Sequence, residues 1–233
     1  MKRSEINQIM REAVEFIESK QFLLPPFAYW TKKDWLEKNE SYAEIRDNML
    51  GWDITDFGSG KFHEIGLLMF TIRNGNLKDP KYKKRYAEKL LIVEEGQVTP
   101  FHFHWSKMED IINRGGGNLL VQVYNSTPDE QLADTPVEIS MDGRRLTVPA
   151  GEILRVRPGE SITLETGVYH KFWGEPGTGK ILIGEVSSVN DDHVDNRFLE
   201  PVGRFPEIEE DEEPLYLLYN DYFNLGGVFG DRN

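Results

Sequence analysis

The chain has 233 residues, 39% of them hydrophobic, which suits one large domain or two small ones with an ordinary core. Its 40 acidic residues outnumber 27 Lys and Arg for a formal charge of -13, which argues against nucleic acid and anionic membranes as partners. It has no cysteine, so disulfides and thiolate metal sites are excluded and a cytoplasmic location fits.

The opening MKRSEINQIMREAVEFIES lacks the apolar core of a secretory signal. No stretch approaches the roughly 20 apolar residues that cross a bilayer. Ile6, Ile9, Met10, Ala13, Phe16 and Ile17 recur at helical spacing, so a helix capped by Ser4 is expected to run to about Lys20. Pro25 and Pro26 end it, and a second helix over Trp35–Leu50, capped at Thr31 or Asp34, is expected to complete a helical arm of residues 1–50.

From Gly51 onward the pattern becomes short apolar runs between turn residues. Strands are expected at Leu67–Ile72, Arg85–Val93, Val98–His104, Asn118–Tyr124, Val137–Met141, Arg144–Val148, Ile153–Val156, Ser161–Leu164, Tyr169–Trp173 and Lys180–Val189. Asn74-Gly75, Asp142-Gly143, Pro158-Gly159 and Pro176-Gly177 punctuate them. Many short strands with no helix between them imply an all-β antiparallel barrel or sandwich, and with no long linker the chain reads as a single domain, 1–233, whose barrel and C-terminal tail occupy 51–222. The acidic run Glu207–Glu213 reads as a solvated loop, Leu215–Tyr222 as a returning strand or a partner contact, and the final GGVFGDRN as loose chain.

Chemistry concentrates between Gly96 and Gly117. His102 and His104 are two apart in a strand and share one face. Glu109 follows from the next turn, and His170 lies in a second strand, GVYHKFW. Three imidazoles and a carboxylate suit a divalent first-row metal and leave two positions of a six-coordinate ion open. Phe103 and Trp105 alternate with the ligands and are expected in the opposite layer, and Arg114–Gly117 reads as a turn that helps close the barrel. His63 reads as surface or arm packing, and His193 as a loop residue or a pocket wall.

Gly96, His102, His104, Glu109 and Gly116 fill a pattern that resembles the first motif of the cupin superfamily, whose members are jelly-roll β-barrels. Gly159, Gly167 and His170 fit the second motif, with Glu165 where proline and Gly174 where asparagine are expected. Further phrases, MKRSEIN, LLPPFAYW, LGWDITDFG, LLMFTIRNG, RYAEKLLIV, TPFHFHWSKMEDIINRGGGNLLV and GEVSSVNDD, are similar to the D-lyxose isomerases over nearly the whole chain. That resemblance implies a divalent metal, usually Mn2+ with Co2+, Fe2+, Ni2+ or Zn2+ as substitutes, and a homodimer. It also implies conversion of a monosaccharide aldose to its ketose, D-lyxose to D-xylulose and D-mannose to D-fructose.

Such a reaction takes a proton from C2 and returns it at C1, with a metal stabilising the enediolate between. Candidates for acid–base work are Glu185, Lys89 and Glu109. Lys89 sits in an apolar run and faces either the barrel interior or solvent, and the same choice holds for Glu185. Thr99, Lys89, Asp191, Asp192 and Arg204 are candidate sugar contacts, against turn or surface roles. The same ligand set serves Fe(II) dioxygenases and non-catalytic sugar-binding barrels, because a fold alone does not fix function.

Overall fold

The computed structural model describes residues 1–225, and within them alternating and doubly apolar runs from residue 51 onward fold into fourteen strands. In chain order the strands are β1 (Gly51–Thr55), β2 (Leu67–Arg73), β3 (Tyr86–Val93), β4 (Val98–His104), β5 (Glu109–Gly116), β6 (Leu119–Ser126) and β7 (Leu132–Ala133). The rest are β8 (Val137–Met141), β9 (Arg144–Val148), β10 (Ile153–Val156), β11 (Ser161–Leu164), β12 (Val168–Gly174), β13 (Ile181–Ser188) and β14 (Asn196–Phe198). They form two antiparallel sheets, one ordered β1-β2-β3-β13-β5-β11-β8-β9 and the other β10-β6-β12-β4-β14, with β7 beside β6. This is the all-β barrel with an N-terminal helix that the sequence implies.

The core explains why β2, β3 and β13 lack clean alternation. Their inner residues, including Met69, Leu91 and Ile183, pack between the sheets with Val121, Ile162 and Phe172. Their outer residues, including Leu68, Ile92 and Leu182, lie under α1 (Arg3–Ser19), which offers Ile6, Met10, Ala13 and Ile17. A strand covered on both faces reads as continuous apolar sequence. Fully burying each such side chain stabilises the fold by about 1.5–3 kcal/mol.

Several elements differ from expectation. Lys2, not Ser4, precedes α1 and makes no side-chain cap; Ser4 is diverted to Asp211. The expected second helix is two short ones, α2 (Lys32–Leu36) and α3 (Ala43–Asp47), the first closed by a Thr31–Asp34 capping box. The acidic run is not freely solvated. Glu210 and Asp221 accept from Arg3, Asp211 from Ser4, and Glu212 from Asn7, so the run straps the start of α1. The aromatic tail adds no strand. It packs Leu217, Tyr219 and Tyr222 against Trp35 and ends in a 3-10 turn, Tyr219–Asn224. The GGVFGDRN terminus lies outside the described residues.

Arg114, Gly115 and Gly116 end strand β5, and Gly117 is a bend beyond it. Gly116 has φ of 101°, and a Cβ there would stand 2.0 Å from the Lys180 carbonyl oxygen, so glycine lets β5 and β13 close together.

Candidate metal centre

β4 and β12 pair so that His102 and His170 are direct cross-strand partners, and His104, two residues on, shares their face. Their ring centroids lie 4.1 Å (His102–His170), 5.2 Å (His102–His104) and 5.5 Å (His104–His170) apart. One nitrogen of each ring lies within 4.8 Å of the other two. All three are buried, His170 at 1% exposure.

The backbone settles which nitrogen is free. Nδ1 of His102 donates to the Pro100 carbonyl at 2.8 Å, Nδ1 of His104 to Asp195 at 3.1 Å, and Nδ1 of His170 to Val168 at 3.0 Å. A carbonyl only accepts, so a ring in its neutral form carries its proton on Nδ1 and presents the Nε2 lone pair to the interior, the arrangement of metal-binding histidines. Burial first, then the neighbouring His170 and His104, push His102 well below the ordinary imidazole value, which favours the neutral form.

Glu109 enters from the facing sheet, as the first residue of β5 and not from a turn. Its Oε1 is 3.2 Å from His170 Nε2, and its Oε2 3.5 Å from His104 Nε2. Lone pairs of neutral imidazole and of carboxylate repel at such separations unless a cation lies among them. Nε2 of His104 and of His170 are also buried with no hydrogen-bond partner. The residues therefore fit a divalent metal: three imidazoles and a carboxylate oxygen.

A cavity of about 500 Å³, counting solvent space at its mouth, adjoins this cluster. Leu67, Met69, Leu91, Ile111 and Phe172 make its apolar side. Charged side chains make the other. Glu185 and Lys89 are cross-strand partners on β13 and β3, both pointing inward and both buried, so the outward alternatives do not hold. Lys89 Nζ is 3.5 Å from Glu185 Oε1 and 3.3 Å from Asp192 Oδ2. Arg204 contacts Asp53 and lies 3.7 Å from Asp192. Burial would raise the Asp192 carboxyl, but Lys89, Arg204 and Lys107 hold it well below the usual carboxylate range.

Thr99 and Arg204 line the cavity with Thr99 Oγ1 and Arg204 Nη1 unpartnered. Asp191 departs from the candidate set. It points away, pairs with Lys78 at 2.6 Å, and lines an outer cleft instead. Neighbours at a turn diverge, and only Asp192 turns in. Trp105 departs too: Phe103 is core, but Trp105 stands just past the strand, 48% exposed, and donates to Glu130. His63 sits on the surface beside Glu94 and Glu5 of the arm, and His193 lies on an exposed loop beside the Tyr219 hydroxyl.

The site holds residues that the pattern did not reveal. Lys107 is buried in the same wall, between Glu109 and Glu185. Asn196 and Phe198 of β14 complete the cavity, Asn196 with its Oδ1 unpartnered and Phe198 stacked on His102. Asp195 accepts from the amides of Ser106 and Lys107 as well as from His104. Lys107 lies in WSKMED, which carries no apolar periodicity, and β14 is three residues long, so neither gave a local signal.

Two facing antiparallel sheets with inward histidines at one end define a cupin barrel with a metal-type site. Solved structures agree on the fold. An L-ribose isomerase of Cellulomonas parahominis superposes with a TM-score of 0.60 at 18% identity, covering 90% of this chain and 98% of that one. That of Geodermatophilus obscurus gives 0.60 at 14% identity with the same coverage. The model of the D-lyxose isomerase family matches residues 1–222, and the chain belongs to that family of sugar isomerases. A relative in Serratia proteamaculans, named D-lyxose/D-mannose isomerase, is 49% identical over 97% of this chain and 99% of its own length. One of the same name in Thermosediminibacter oceani is 24% identical over 90% of this chain and 99% of its own.

Proposed function

We propose that this enzyme interconverts aldoses and ketoses, D-lyxose with D-xylulose and D-mannose with D-fructose, using Mn2+ held by His102, His104, His170 and Glu109. One observation carries the reading: a cluster of unpartnered acceptors and a buried pair, Glu185 and Lys89, face the same cavity. The activity named for relatives at 49% identity supplies the substrates.

A divalent ion at the cluster supplies Lewis-acid polarisation of a sugar carbonyl and its neighbouring hydroxyl. The chain's own residues do the rest. Glu185 takes the C2 proton and returns it at C1, because it is an inward carboxylate within reach of the cavity. Lys89, beside it, donates to a sugar oxygen, and Glu109 would serve as the carboxylate ligand and as a second acid–base group, its other oxygen hydrogen-bonded to Lys107. Thr99 and Arg204 meet remaining hydroxyls, since a buried unpaired polar atom is costly until a ligand satisfies it, and Asp192 accepts from another at the cavity wall. The apolar side excludes water and protects the enediolate.

The chain works as one unit, a single domain of residues 1–233 with the arm at 1–50 and the barrel and tail at 51–222. It acts as a homodimer, a reading supported by exposed Leu77, Trp105 and Val194 along one outer cleft. The cytoplasm suits a chain with no cysteine. The test is to strip the protein of metal, reload it with Mn2+, Co2+, Fe2+, Ni2+ or Zn2+, and follow ketose formation from a panel of aldoses. D-lyxose and D-mannose should turn over with Mn2+, and solvent deuterium should enter the product carbon. No ketose from any aldose with any ion overturns the proposal.

A further inference from the structure

We infer that Lys107 is a positioning residue that ties the metal-binding end of the site to its acid–base end, by holding Glu109 and Glu185 in register across one ammonium. The inference rests on the roles proposed above for those two carboxylates. Lys107 Nζ lies 2.6 Å from Glu109 Oε2 and 3.0 Å from Glu185 Oε1. All three side chains are 5% exposed or less.

The contact is built from both ends. Asp195 accepts the Lys107 amide at 2.9 Å and the Ser106 amide at 2.8 Å, which fixes where the lysine leaves the backbone. Glu109 and Glu185 stand on paired strands, with Ser187 opposite Glu109 and Ile111 opposite Glu185, so their spacing is set by the β5–β13 ladder. The ammonium spans that spacing. It is also the link, among the contacts seen here, between Glu109 and the row that continues through Glu185, Lys89, Asp192 and Arg204.

Burying an ammonium costs several kcal/mol unless its hydrogens are met. Here charge-assisted bonds to two carboxylates meet that cost. The carboxylates gain a shared anchor in return. Oε2 of Glu109 is occupied by Lys107, which leaves Oε1 toward His170. Oε1 of Glu185 is held, which leaves Oε2 for the sugar. Without the ammonium the two anions repel across the gap. Glu185 then swings from the position in which it meets C2, while the histidines, each fixed by its own backbone carbonyl, keep theirs.

The test compares Lys107→Met, close in length and uncharged, with Lys107→Arg and Glu185→Gln. Calorimetric titration of metal-free Lys107→Met with Mn2+ should still give one-to-one binding, since three histidines and Glu109 remain. KM for D-lyxose should stay within about threefold while kcat falls about 100-fold, the scale of a displacement of about 1 Å at a reacting group. Lys107→Arg should recover about tenfold of the loss through its own donors. A crystal structure of Lys107→Met should show Glu185 displaced from Glu109.

Lys107→Met with kcat within threefold of wild type, loss of Mn2+ stoichiometry, or an arginine variant no better than methionine would each overturn the inference. If Lys107→Met does not fold, Lys107→Gln takes its place, and failure of both makes Lys107 a structural residue and ends the proposal. Glu185→Gln with near-normal turnover is a different failure: it removes the base assignment itself.

Discussion

At the scale of single residues, the histidines and Glu109 were legible, and Lys107, Asn196 and Asp195 beside them were not. The H-x-H spacing on a strand and a later strand histidine are local features, and β pairing then brings His170 opposite His102. His170→Ala should abolish tight Mn2+ binding and turnover and leave the β-type circular dichroism unchanged. Retained stoichiometric Mn2+ in that variant would contradict the ligand set. Asp195→Ala leaves the carbonyl that holds His104 but removes the acceptor of two amides. A loss of about 1–3 kcal/mol, measured by urea unfolding, is expected from the unmet donors. Lys107 stayed hidden because WSKMED carries no periodicity that marks an inward position. Its burial is decided by β5 turning back beside β13, a long-range event. The divergence of Asp191 and Asp192 has the same origin, since turn geometry and not residue type decides which enters the cavity.

At the scale of elements, strands bounded by turn residues were legible to within a residue or two, as β8, β9, β10 and β11 show. β5 was obscured by its glycines, which weaken strand propensity and are there because Lys180 approaches so closely. The acidic strap was misread because carboxylates in a row carry no sign of a partner some two hundred residues earlier. Arg3→Met should cost about 1.5–3 kcal/mol at pH 7, the range for hydrogen bonds to charged groups. The pH dependence has a definite sign. Arg3 holds Glu210, and Ser4 holds Asp211, below the usual carboxylate range. Stability from groups with lowered pKa is complete above their unfolded values of roughly 4, and is lost as pH falls through the lower folded values. The gap in melting temperature between wild type and Arg3→Met should therefore shrink as pH falls below about 4. A gap that stays constant would show that Glu210 does not hold the arm through Arg3.

At the scale of the molecule, the large sheet is the shared wall of two cores, one facing the second sheet and one facing α1. The two-sheet architecture was legible from strand count and turn spacing. The burial of the large sheet on both faces was legible only in its unbroken apolar runs. The proposed metal would couple to the fold, because Glu109 of the large sheet meets the three histidines of the small one. Mn2+ at about 100 times its dissociation constant should add about 2.7 kcal/mol to the folded state. A chelator should lower the melting temperature accordingly, and His170→Ala should be insensitive to either addition. Indifference of the wild-type protein to chelator would argue that no ion bridges the sheets.

The strap has a bearing on how the chain matures in the cell. Arg3 is translated 207 residues ahead of Glu210, so α1 leaves the ribosome long before its clasp has been made. Until Glu210 follows, α1 rests on its apolar face alone, with Ile6 and Met10 against the large sheet.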